Sequence, residues 1–235
     1  MIEVLTAEEM EGIRRLDTCS VANAIETFNR QLRNEGFANA SVRCMLPRSD
    51  AMLGYAVTAK VRCSSPPPDG LVYPDRTEWW SYILSIPAPR VVVVQDLDDI
   101  PGVGAIWGEV HSSILLALGC VGAVTNGAVR DLPAVRKTPF HFFAGSVSVS
   151  HAYTHIVEIG GPVEVGGLKL NPGALIHGDC HGILSIPREI ARELPAVAAR
   201  IKEHERTITS LCGSKDFSLD RLRTAVNTDI EMFVR

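Results

Sequence analysis

Trp107-Gly108-Glu109-Val110-His111, followed by Gly122-Ala123-Val124-Thr125-Asn126-Gly127-Ala128-Val129-Arg130-Asp131, decides how this chain folds. Between the two runs, Ile114, Leu115 and Leu118 recur at helical spacing, which predicts a helix from Glu109 to Leu118. Gly119 stands where a helix stop is expected. Val121 to Thr125 is short and apolar, the pattern of a buried parallel strand. Such a unit aims the helix start and the strand end at one crevice, where ligands of open α/β sheets bind. The amides of Gly108, Glu109, Val110 and His111 lack helical partners and can hold an anion there. Arg130 adds a planar fork suited to a carboxylate. Asp131 adds a hard oxygen ligand suited to Mg2+ or Mn2+. An Arg-Asp dipeptide by itself is more often a surface ion pair. Its place after a buried strand, opposite a glycine-led helix start, is what singles this one out. Glu109 reads either as a carboxylate favoured by the helix dipole or as a group facing the ligand.

Outward from that unit, the 235 residues suffice for a full core, with 46% apolar and 21% charged residues. A net charge of −4 argues against a nucleic-acid footprint, which needs a basic patch or stripe. No apolar run reaches the length of a membrane span. Met1 to Arg15 carries Glu3, Glu8, Glu9 and Glu11 and lacks a basic-then-apolar leader pattern, so a cytoplasmic location is expected. The 6 cysteines form no C-x-x-C pair and read as reduced, mostly buried small hydrophobes.

Thr6 to Leu16 reads as a helix opened by a Thr6/Glu9 capping box, and Thr18 to Phe28 as a second helix. Asn23 on that second helix reads as an exposed amide. A surface loop covers 29–49. Leu53 to Cys63 alternates as a strand with Tyr55, Val57, Ala59 and Val61 on one face. Pro66-Pro67-Pro68 marks an exposed turn or lid, and Thr77 to Ser85 a helix whose Trp79 and Trp80 pack on the sheet. Val91 to Asp96 is a buried parallel strand. The loop Asp98 to Gly104 does not fit a nucleotide-binding glycine pattern, and carries the chain to Gly108. Leu132 to Lys137 reads as a short helix and Phe140 to Ala144 as a strand. Val147 to Glu158 alternates as a strand with His151, Tyr153 and His155 on one face. Histidines at i and i+4 of a strand sit too far apart to chelate one ion comfortably. A hairpin turns at Gly166-Gly167, a helix runs from Pro187 to about Arg206, and another from Phe217 to Phe233.

A secondary metal candidate is the set His177, Asp179 and His181, which share a face if extended. The glycines around them argue for a turn, where side chains splay. No G-x-S-x-G elbow is present, which removes the α/β-hydrolase reading.

Gly108-Glu109, the run Gly122 to Asp131, Pro162-Val163, Gly166-Gly167, Pro172-Gly173 and Gly178-Asp179 through Ile186-Pro187 together resemble the RraA-like family. That family holds the 4-hydroxy-4-methyl-2-oxoglutarate aldolases and the regulator of ribonuclease activity A. The similarity spans roughly residues 15 to 200. The resemblance implies a single α/β domain over 1–235, of the swivelling β/β/α type and three-layered. In it, N-terminal helices span 6–28, the core about 50–190, and an added C-terminal helical extension about 188–235. It further implies a trimer or hexamer with sites near subunit contacts. By the same resemblance, Arg130 grips the substrate's carboxylate, Asp131 holds Mg2+ or Mn2+ largely through waters, and the Gly108 to His111 loop binds substrate. The implied reaction is retro-aldol cleavage of a small 4-hydroxy-2-oxo acid to pyruvate, with oxaloacetate decarboxylation as a related outcome. No Schiff-base lysine is needed, and Lys60, Lys137, Lys169, Lys202 and Lys215 have no setting that marks one. A non-catalytic, ribonuclease-inhibitor-like regulator is the alternative on the same fold. A methyltransferase reading lacks an S-adenosylmethionine loop. Two departures stand out: His181 replaces a commonly acidic position, and residues continue from Phe217 to Arg235. A metal-facing glutamate from a neighbouring subunit has three candidates, Glu193, Glu203 and Glu205.

Overall fold

The computed structural model describes residues 4–71 and 73–227. Helices α1 (Ala7–Arg14) and α2 (Thr18–Glu26) lead to β1 (Arg43–Cys44), β2 (Met52–Arg62), α3 (Arg76–Ser85) and β3 (Arg90–Asp96). Next come β4 (Ala105–Trp107), α4 (Glu109–Ala117), β5 (Cys120–Thr125), β6 (Ala128–Val129), α5 (Leu132–Val135), β7 (His141–Ala144) and β8 (Ser146–Val147). The chain continues through β9 (His155–Ile159), β10 (Val163–Val165), β11 (Leu168–Leu170), β12 (Leu175–Asp179) and β13 (Gly182–Ile186). A 3-10 stretch (Arg188–Glu193), α6 (Leu194–Cys212) and α7 (Leu219–Asn227) complete it.

The main sheet runs β1-β7-β5-β3-β2-β12-β13, with β9 also paired to β2. Its centre, β2-β3-β5-β7, is parallel. The four valines of β3 are buried, as a central parallel strand requires. On β2, Leu53, Tyr55, Val57, Ala59 and Val61 pack with residues of the helical layer. Met52 and Ala56 point the other way, into a second cluster with Val163, Val165, Leu168 and Leu170. The sequence alternation suggested one buried face on this strand. Both faces are buried, because the β10–β11 hairpin covers the second. Helices, mixed sheet and hairpin thus make the three layers of an α/β fold.

Local chemistry sets the ends. Thr6 and Glu9 form the expected capping box, Asp17 caps α2, and Asp75 with Glu78 caps α3. Asn23 is exposed on α2, and Trp79 is buried in the core. α4 gives way at Leu118 to Gly119, whose φ of +74 suits glycine. Arg90 then donates to the Leu118 carbonyl at 2.8 Å. At the opposite ends of β3 and β5, the Asn126 side chain bridges both backbone groups of Asp96, at 2.8 and 2.9 Å.

Several expectations are corrected. Val147 to Glu158 is not one strand: β8 stops at Val147 and β9 starts at His155. The intervening backbone bonds elsewhere, Ala105 N to Ser150 O at 2.7 Å and Tyr153 N to Cys63 O at 3.0 Å. The helix after Pro187 begins as 3-10 and runs on to Cys212, and the last helix is observed over Leu219–Asn227, with 228–235 outside the described residues. The 6 cysteines are unpaired, but only Cys63 and Cys120 are buried, while Cys19, Cys180 and Cys212 are exposed. No helix among the described residues is long and apolar enough to cross a membrane.

Two histidines are folded into the core. Burial pushes His141 and His177 from 6.5 down to about 4, against the opposing charges of Asp50 and Asp179. Both rings are neutral in the folded chain above that value but protonate in the unfolded chain below 6.5. Stability is therefore full above pH 6.5 and falls as pH drops toward 4, by about 1 kcal/mol per unit for each ring. Urea midpoints at pH 7 and pH 5 measure this, and equal midpoints would contradict it.

Candidate functional site

β4, β6 and β8 form a small parallel sheet of their own. β4 feeds α4 and β6 feeds Arg130 and Asp131, so the pairing of these two short strands sets the helix start beside the dipeptide. Arg130 N continues the ladder to the Trp107 carbonyl at 2.9 Å.

Asp131 adopts φ 57 and ψ 32, the left-handed region that non-glycine residues enter at a cost of about 1–3 kcal/mol. That bend lets its carbonyl start α5 while its carboxylate turns back to α4, where Oδ2 accepts the Glu109 amide at 3.1 Å. Arg130 Nε stands 3.4 Å from each carboxylate oxygen, and Nη1 donates to the Val149 carbonyl at 3.4 Å. The Arg130 and Asp131 side chains are 33% and 36% exposed, anchored on one side and open on the other. The Glu109 amide first, then the Arg130 charge, hold the Asp131 carboxyl below the ordinary carboxylate range, so it stays ionised.

Gly108 is required for space. Its backbone is extended, but a Cβ there would lie 2.2 Å from Asp131 Oδ2 and 3.0 Å from Arg130 Cγ. The expectation of open amides from Gly108 to His111 needs correction at one place. The Glu109 amide is taken by the chain's own carboxylate, leaving those of Val110 and His111 at the open helix start. The Glu109 side chain is exposed.

The alternation that placed His151 and His155 on one strand face concealed a neighbour of this site. His151 Nδ1 lies 2.8 Å from the Ala105 carbonyl, and its ring meets that of His111 edge to face at 6.1 Å. His155 instead stacks edge-on with Tyr73 at 5.1 Å. Burial first, then the charges of His151, Arg76 and Arg130, lower the basicity of His111.

The His177/Asp179/His181 set does not come together. His177 is buried with Nδ1 3.0 Å from Thr18 Oγ1. Asp179 accepts the Thr18 amide and pairs with His181 at 3.0 Å. Among the described residues, two groups bring three ligand atoms within 4.8 Å, Asp179-Cys180-His181 and Cys63-Asp96-Asp98. In the second, the Asp98 carboxylate is already satisfied by the amides of Cys63 and Ser64 and the Ser64 hydroxyl. Asp131 belongs to neither. Its donor set still suits a hard cation: one ionised, half-open carboxylate in the space that Gly108 clears, the kind of anchor Mg2+ uses when waters and substrate supply the rest. A separate polar cleft of about 500 Å3, lined by Asn39, Ser41, Gln95, Asn126 and Glu164 among others, does not include Arg130 or Asp131.

A family model described as RraA-like, Aldolase/RraA, matches residues 18–185. Protein DlpA of Legionella pneumophila is 27% identical over 135 residues, 56% of this chain. The match spans only 22% of DlpA's length. A Halalkalibacterium halodurans protein named "Putative 4-hydroxy-4-methyl-2-oxoglutarate aldolase" is 35% identical over 85 residues, 36% of this chain and 40% of that one. The fold matches that of RraAS2 from Streptomyces coelicolor, described as an unusual member of the RNase ES inhibitor RraA protein family. That match has a TM-score of 0.68 at 19% identity and covers 87% of this chain and 97% of the other.

Proposed function

We propose, from the premise that the chain belongs to the RraA-like family, that it is a divalent-metal-dependent lyase cleaving a 4-hydroxy-2-oxo acid to pyruvate. One observation carries the reading: an ionised Asp131 and the Arg130 guanidinium converge on the start of α4, in space that only glycine at 108 leaves.

Arg130 binds the carboxylate next to the 2-oxo group. Its Nε and one Nη1 hydrogen are used within the chain, so in this reading Nη2 supplies the donor to the substrate. Asp131 and coordinated waters would hold Mg2+ or Mn2+, which when bound polarises the 2-oxo oxygen and offsets enolate charge. The open amides of Val110 and His111 add fixed positive dipole ends toward that charge. Lys60, the half-buried lysine of β2, is committed to Glu158 at 2.8 Å, in keeping with a mechanism without a Schiff base. Oxaloacetate reaches the same enolate by losing CO2, so this site serves both reactions. Exposed Val110, Val147 and Val149 lie on the elements that carry the site. A neighbouring copy covering them, in a trimer or hexamer, would close an otherwise shallow site.

The test is pyruvate release from 4-hydroxy-4-methyl-2-oxoglutarate and from oxaloacetate. Chelation should abolish it, and Mg2+ or Mn2+ should restore it. No release from either substrate with any divalent ion would overturn the lyase reading and favour a contact regulator of the ribonuclease-inhibitor type.

A further inference from the structure

We propose that His151 is the proton-transfer residue of this site, its Nε2 taking the proton of the substrate's C4 hydroxyl and returning it to C3. The inference rests on the lyase reading above and adds the base that reading lacks. Arg130 cannot accept a proton at accessible pH. The Asp131 carboxylate, anchored by the Glu109 amide on one side, gives its open side to the cation in that reading.

The loop that carries His151 is tied to the site from several sides. Arg130 Nη1 holds the Val149 carbonyl at 3.4 Å, Ala105 N donates to Ser150 O at 2.7 Å, and Ser148 Oγ donates to Val103 O at 3.1 Å. Ala152 takes a left-handed φ of 46, and Gly104 passes so close that a Cβ would lie 2.4 Å from the His151 carbonyl oxygen. A loop this constrained fixes where the imidazole stands.

The ring is oriented as well. A carbonyl only accepts, so the Nδ1 contact with Ala105 O at 2.8 Å assigns the hydrogen to Nδ1. The neutral ring then carries its lone pair on Nε2, as a general base requires. Around it stand His111 from α4, then Arg130 and Asp131 after β6, with Glu109 at the same helix start and Arg76 of α3 acting on His111.

The step balances. The C4 hydroxyl proton moves to Nε2, the O–H pair becomes the C4 carbonyl, and the C3–C4 pair becomes the C2–C3 double bond of the enolate. The proton on Nε2 then transfers to C3. Pyruvate and one carbonyl compound leave, and His151 is again neutral. Oxaloacetate decarboxylation needs no hydroxyl deprotonation, so the two reactions depend differently on this ring.

The experiment compares both activities in wild type, His151→Gln and His151→Gly. Proton transfer by a positioned base contributes about 10^2–10^4 in rate. The ratio of aldol cleavage to decarboxylation should therefore fall about 100-fold or more in both variants. Added imidazole should restore cleavage in His151→Gly, where the cavity admits it, and leave His151→Gln unchanged. An unchanged ratio, or equal loss of both reactions without imidazole rescue, would overturn the assignment. Absence of both activities in the wild type would instead sink the lyase reading itself.

Discussion

Gly108→Ala is expected to lower kcat/KM for pyruvate release by about 100-fold while the chain still folds. The added Cβ would fall 2.2 Å from Asp131 Oδ2, far inside any real contact. The Gly108 backbone, at φ −141, accepts alanine without strain, so the burden falls on the carboxylate. Asp131 must turn away from the Glu109 amide, and Arg130, whose Cγ stands 3.0 Å from that Cβ, must turn with it. Displacements of about 1 Å at a reacting centre cost about 10^2 in rate. Steady-state kinetics beside a thermal melt separate this from unfolding. Wild-type kinetics in a folded Gly108→Ala would mean that the carboxylate's seat on α4 is irrelevant to turnover.

Asp131→Asn carries the larger effect. The substitution keeps size and an acceptor oxygen, so the Glu109 amide retains its partner and the left-handed bend at 131 is one asparagine tolerates. Only the charge is removed. With it go the anchor for a hard cation and the counterion of Arg130. Loss of one preorganised electrostatic group costs about 10^2–10^3 in kcat, and loss of the bound ion adds to that. Asparagine at this position isolates charge from shape, which alanine would not.

Much of this site was legible in the residues, and the part that was not has a physical reason. The α4–β5 unit announces itself because Ile114, Leu115 and Leu118 repeat at helical period and Gly119 stops the run. Arg130 and Asp131 stand out because they follow a buried strand. β4 and β6, by contrast, span only Ala105–Trp107 and Ala128–Val129, too short for any period to register. Their pairing with each other and with β8 is non-local, yet that pairing brings the helix start to the dipeptide. His151 was hidden for a related reason. Alternating residues from Val147 onward imitate a strand, while the backbone there is committed to Ala105 and Cys63 instead. The second buried face of β2 depends on a hairpin more than 100 residues later in the chain, about which local alternation carries no information. Likewise the Glu109 amide looked open because nothing in a helix-start pattern records a carboxylate arriving from β6.

The most direct test of the account is pyruvate release by wild type and Asp131→Asn, side by side in saturating Mg2+. The account predicts steady release by the wild type and a fall of about a thousandfold in the variant. Equal rates in the two proteins would contradict it, because the carboxylate at the start of α4 would then have no part in the chemistry.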